Sequence, residues 1–233
     1  MIVKEQVIQA NTKWSKKEFL LILSFIFIFV PIFLEYLLQR QLYSMFQNSL
    51  YAGTLTGFFM AVTFLLAIYY ITLKPFQLSW RHIGLYFPKG YWLPTIYWAI
   101  ILVILSIATV VVMDIIGINA ENSKTDSLQM QITPFTFSIA FISAAIISPF
   151  YEEILYRGFL YKWLRGRFGV TSSLLCSALI FTLVHIPTYN ALPVNFISGL
   201  VFAWTYEKSG SIIPAMIIHA FFNGLAIILT ALV

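Results

Sequence analysis

Two adjacent carboxylates, Glu152 and Glu153, stand in the apolar run Ile147-Ser-Pro-Phe-Tyr-Glu-Glu-Ile-Leu-Tyr-Arg157. Ionisable groups within such a run are costly in a membrane and are functional by default. Glu153 and Arg157 are four residues apart, so one helix face carries both and a structural ion pair is expected. Glu152 is rotated from Glu153 by about 100° and is left with no local partner. A buried carboxylate without a partner is suited to general-base work. Two histidines share this apolar setting: His185 ends Phe181-Thr-Leu-Val-His185, and His219 opens His219-Ala-Phe-Phe-Asn223. The four-residue spacing projects His219 and Asn223 from one face into a shared space. A lone intramembrane histidine is as often a packing residue, but two of them beside a buried glutamate weaken that reading. His82 is expected on a surface segment and is given no role.

Elimination narrows the chemistry. The sequence has no His-Glu-x-x-His and no Gly-x-Ser-x-Gly, so the zincin and hydrolase-elbow arrangements are absent. Its only aspartates, Asp114 and Asp126, flank one loop and cannot form an intramembrane dyad. Cys176 has no neighbouring base to activate it. What survives is water activated by a carboxylate, with imidazoles and an amide around it.

These residues need an apolar scaffold, and the composition supplies one. Of 233 residues, 60% are hydrophobic and 10% charged, against roughly 45–50% and about 25% in soluble domains. Mean hydropathy is +0.87. An all-α, polytopic membrane bundle follows, with membrane lipid as its surroundings. The single cysteine excludes a disulfide framework. The net charge of +5 comes from Lys and Arg spread thinly between apolar runs, which assembles no nucleic-acid face.

Crossing a bilayer takes about 20 apolar helical residues. Seven spans are expected, at 19–39, 51–73, 93–118, 134–162, 171–186, 191–206 and 211–232, with short or broken helices in the proline-punctuated C-terminal half. The first is expected to stay as a span, since its apolar run is too long for a signal peptide. The stretch 119–133 is the one clearly polar loop. With seven spans, Lys4, Lys13, Lys16 and Lys17, then Lys74, Arg81 and Lys89, then Lys162, Arg165 and Arg167, then Lys208 all fall on one side. The positive-inside rule makes that side cytoplasmic, placing the N-terminus inside and the C-terminus outside. Helical rise puts Glu152 about 15 Å, His219 about 12 Å and His185 about 21 Å from that face. On those depths a catalytic cavity is expected to open towards the cytoplasm, with positions such as Tyr156 lining it.

Glu152-Glu153-x-x-x-Arg157, Phe181-x-x-x-His185 and His219-x-x-x-Asn223, in this order, resemble the signature motifs of the CAAX protease and bacteriocin-processing (CPBP, or Abi) family of intramembrane proteases. The similarity covers about 130–230. Phe196-x-x-Gly199 resembles a fainter family motif, with helix packing as its implied role. The resemblance implies one membrane domain over 1–233, with N-terminal spans in 1–130 and a catalytic core in 131–233. It implies an intramembrane endopeptidase in a cell membrane, acting on a peptide or membrane-anchored protein. Glu152 would activate the hydrolytic water, His185 would help position it, and His219 and Asn223 would form an oxyanion-type site. Glu153, Arg157 and Phe181 would be structural support. The family carries a metalloprotease label, and Glu152, His185 and His219 could supply a two-His, one-carboxylate zinc set. The resemblance instead implies a glutamate-activated water with no cofactor. Two other readings are a non-catalytic protein of the same fold, serving bacteriocin immunity or signalling scaffolding, and a small transporter with a proton relay. The intact motifs disfavour the former, and the absence of an internal repeat disfavours the latter.

Overall fold

Short polar residues cap three helices of this bundle, and prolines sit at two of its widened turns. The protein was analysed as a computed structural model, which describes residues 13–118 and 133–232. Ser15 opens α1 (Lys16–Phe46) with a capping box, its side chain accepting from the Lys17 N–H while Glu18 reaches back to the Ser15 N–H. Asn48 caps α2 (Ser49–Phe76) by accepting from the Tyr51 N–H at 3.0 Å. Next come α3 (Trp92–Ile115) and α4 (134–168), the latter capped by Thr133 and started by Pro134. The chain continues through α5 (170–183), α6 (Leu192–Ser209) and α7 (Ile212–Leu232).

The seven expected spans are all helical, with shifted boundaries. Five helical stretches are long and apolar enough to cross a membrane: Lys16–Phe46, Ser49–Phe76, Trp92–Ile115, Pro134–Leu183 and Ile212–Leu232. α6, which carries Asn195, Ser198, Glu207 and Lys208, is not among them. The expected fourth and fifth spans form one 50-residue stretch broken at Gly169, whose φ of 75° and ψ of −175° suit a residue without a Cβ. Lys162, Arg165 and Arg167 therefore lie on helix α4 and not in a loop. The expected polar loop lies outside the described residues over 119–132, as do Lys4 and Glu5.

Among the described residues, four stretches have π-helical hydrogen bonding, and two of them sit at prolines. Phe25–Leu38 is π-helical around Pro31, and Ser143–Ile147 is π-helical just before Pro149. Proline lacks the N–H that the i→i−4 ladder needs, and the wider turn absorbs the gap. Ile154–Tyr161 on α4 is buried at every position, which makes this segment the axis of the bundle. Phe27, Ile28, Ile104, Ile107 and Leu229 face outward, as a lipid-facing surface requires.

One end of the bundle gathers the basic residues. There Trp163 Nε1 donates to the Ser15 carbonyl (2.9 Å), Arg167 Nη2 to the Trp14 carbonyl (2.6 Å), and Lys162 Nζ to the His82 carbonyl. Glu207, too, is away from the surface. It is buried on α6, accepting from Tyr161 Oη (2.8 Å) and Arg165 Nε (3.1 Å). His82 likewise is not on the surface. It is half-buried edge-on to Trp14, 5.6 Å between ring centroids, and its Nε2 has no hydrogen-bond partner among the described residues. Burial foremost, then the charges of Lys162 and Lys13, push the His82 pKa down from 6.5 to about 4.

Candidate active site

The break at Gly169 sets the depth of two of the functional side chains. Glu152 lies 17 residues before it and His185 lies 16 residues after it, so the antiparallel α4 and α5 bring both to one level. The depth mismatch expected from spans ending at 162 and starting at 171 disappears, because α4 runs on to 168. α7 contributes His219 and Asn223 one turn apart. All four residues line one cavity of about 70 Å³, together with Ser148, Asn195 and the rings of Phe181 and Phe202.

Glu152 does have a local partner: Ser148, one turn earlier on α4, donates its hydroxyl to Oε1. The other oxygen, Oε2, has no hydrogen-bond partner among the described residues and faces His219 Nε2 at 4.0 Å. Ser148 was legible in principle, since i and i+4 share a helix face. Its value was hidden because serine is common in membrane helices. Asn195 carried no sequence signal at all.

Glu153 and Arg157 form the expected ion pair, 3.0 Å apart and fully buried. Glu153 does more than that. The same Oε1 accepts from His219 Nδ1 at 2.9 Å, which turns Nε2 of that ring towards Glu152. Arg157 Nη2 donates to the Gly199 carbonyl at 3.2 Å, and its guanidinium sits over Phe181 and Phe202, 4.6 and 5.0 Å from the ring centroids. Phe202 also stacks on His219, with ring centroids 4.5 Å apart. The Gly199 carbonyl, His219 and the ring faces support this deeply buried pair, while Glu153 Oε2 and Arg157 Nε have no hydrogen-bond partner among the described residues. Gly199 belongs to the fainter motif, and its role is packing: a Cβ there would lie 3.0 Å from the Ala178 Cα of α5.

His185 Nδ1 lies 2.7 Å from the Phe181 carbonyl. A carbonyl only accepts, so Nδ1 carries a proton and donates it to Phe181. Asn223 Nδ2 donates to the Ala144 carbonyl at 2.9 Å. The π register explains that bond. Ser148 N–H reaches back five residues to Ser143, so Ala144 would next meet the nitrogen of Pro149, which has no hydrogen.

Tyr156 does not line the cavity. It is 4% exposed and packs edge-on against Phe181, 5.2 Å between ring centroids. A larger chamber of about 740 Å³ adjoins this cavity, with Ser148 and Asn223 in both walls. It extends past Gly57 and Ser143 to Gln39, Ser49 and Thr230. Those last three lie in the stretches of α1, α2 and α7 remote from Lys162, Arg165 and Arg167, so the chamber extends away from the end expected. Among the described residues, no group of three or more His, Cys, Asp or Glu side chains is arranged to hold a metal ion.

Residues 134–225 match the family model Type II CAAX prenyl endopeptidase Rce1-like. That stretch, 92 of the 233 residues, is similar to CAAX endopeptidases. A curated relative, the membrane-embedded CAAX protease MroQ of Staphylococcus aureus (strain USA300), is 27% identical over 151 residues. The match covers 60% of this chain and 59% of that protein's length. No solved structure matches significantly. The matched stretch encloses Glu152, His185, His219 and Asn223, which all line the cavity. With its apolar helices, the chain is a multi-pass membrane protein carrying a CAAX-protease-like domain.

Proposed function

We propose that the protein is an intramembrane endopeptidase in which Glu152 activates water. The observation that carries this reading is the open Oε2 of Glu152 facing His219 Nε2 across 4.0 Å inside a small polar cavity. That separation is too long for a direct hydrogen bond and leaves room for a reacting group between the two. Glu152 takes a proton from water as the water oxygen adds to the scissile carbonyl carbon. Collapse breaks the C–N bond, and the departing amine takes that proton from Glu152. His185 Nε2 accepts from the water and aims it, while His219 and Asn223 face the carbonyl oxygen. Glu153 and Arg157 fix the His219 ring. No step is assigned to a metal.

The substrate is a peptide or membrane-anchored protein, and the CAAX chemistry named for the family makes a prenylated C-terminal peptide the first candidate. The adjoining chamber has small apolar walls at Gly53, Gly57, Ala140 and Ala226, which accept an apolar chain. By the positive-inside rule the basic end is cytoplasmic, so the chamber faces the outer leaflet. The test is cleavage of a fluorogenic farnesyl-CAAX peptide, and of its unprenylated form, by the purified protein in liposomes. Wild-type protein is expected to release the C-terminal fragment. If neither peptide nor a membrane-anchored protein carrying the same sequence is cut, a non-catalytic role in immunity or scaffolding replaces this reading.

A further inference from the structure

Asn195, in the first turn of α6, belongs to none of the three motifs. It lines the cavity that holds Glu152, His185, His219 and Asn223. Its Nδ2 is buried and has no hydrogen-bond partner among the described residues. An amide N–H left bare in a water-poor site is disfavoured unless something meets it. Its neighbour on the same helix, Ser198, lines the same cavity but spends its hydroxyl on the Val194 carbonyl at 2.9 Å. Asn223, the amide that the motif points to, has already committed Nδ2 to the Ala144 carbonyl. Two asparagines therefore wall the cavity, one engaged in tying α7 to α4 and the other with its Nδ2 unpaired among the described residues.

We propose that Asn195 is a further catalytic residue, whose Nδ2–H donates to the scissile carbonyl oxygen as negative charge develops there. The proposal rests on the proteolytic reading given above. When water adds to the carbonyl carbon, the π pair moves onto oxygen, and the pre-aimed Asn195 donor meets it without reorganisation. On collapse that pair re-forms the carbonyl and the C–N bond breaks, so Asn195 gives up no proton and its bond only strengthens and relaxes. His219 and Asn195 then approach the oxygen from α7 and α6, opposite the base on α4.

The test compares wild type with Asn195→Ala on the fluorogenic farnesyl-CAAX peptide in liposomes. Loss of one such donor is expected to lower kcat by about 10²–10³-fold with KM changed by less than about threefold. A peptidyl trifluoromethyl ketone, whose hydrate mimics the tetrahedral intermediate, should lose affinity in parallel with kcat/KM, whereas binding of the uncleaved ground-state peptide should not change. A packing role would move thermal stability and KM instead. Asn195→Leu, of similar volume and without a donor, repeats the measurement if the alanine variant folds poorly. Turnover within about threefold of wild type in a folded variant, or a pure KM effect, overturns the assignment while leaving the proteolytic reading intact. A wild-type protein that cuts nothing overturns both.

Discussion

Glu153 and His219, 66 residues apart in sequence, share a hydrogen bond of 2.9 Å that joins α4 to α7. The same carboxylate oxygen holds Arg157 at 3.0 Å. The ion pair written into one helix thus orients a ring on another, and Arg157 acts on the site through Glu153.

Arg157→Ala is expected to lower yield and thermal stability, by roughly 3–5 kcal/mol for a broken buried pair. Arg157→Lys should recover little, because a point ammonium cannot bond Glu153 and the Gly199 carbonyl as the forked guanidinium does. Thermal melting in detergent reads both. Normal melting with selective loss of turnover would place Arg157 at the reaction itself.

Glu152→Gln should leave folding unchanged, since the amide keeps the volume and can still accept from Ser148. Proteolysis should fall by about 10²–10⁴-fold through loss of the base. Residual activity within a few-fold of wild type removes Glu152 from the role assigned to it.

Gly199→Ala pushes a methyl against the Ala178 backbone and is expected to cost about 1–3 kcal/mol. Ala178→Gly on that background should recover part of the loss, because it relieves the 3.1 Å contact with the Ala178 Cβ but not the 3.0 Å contact with its Cα. Full independence of the two substitutions in melting experiments contradicts close packing of α5 on α6.

His82 is held neutral in the fold by burial, with a pKa of about 4 against 6.5 ordinarily. Between those values the unfolded chain binds the proton that the folded chain refuses, so stability rises with pH across this window. The melting temperature should therefore fall on acidification from pH 7 towards pH 4. His82→Gln should flatten that slope, and an unchanged slope in this variant assigns the acid sensitivity elsewhere.

The legible part of the site was the part carried by spacing. Glu153 and Arg157 pair because i and i+4 are neighbours on any helix. The same rule put His219 and Asn223 on one face, and both line the cavity. The burial of Glu207 was not legible, because its partners, Tyr161 and Arg165, are more than 40 residues away. Asn195 was invisible for a related reason: a lone amide in an apolar run gives no periodicity, and its importance lies in what does not bond to it.

The sequence by itself determined a helical membrane protein, with most of its basic residues at one end, and the three motifs that must meet. Those features follow from composition and from contacts within a turn or two of helix. Only the tertiary structure decided that Ile154–Tyr161 is the buried axis while α3 lies at the edge, that Glu152 and His185 share a level across Gly169, and that the chamber extends away from the basic end. In a bilayer, lipid and protein interior are equally apolar, so hydropathy reads the same for a helix buried on all sides and for one facing lipid. Which face packs, and which cavity is left between the helices, is settled by side-chain shape and hydrogen bonding across the bundle.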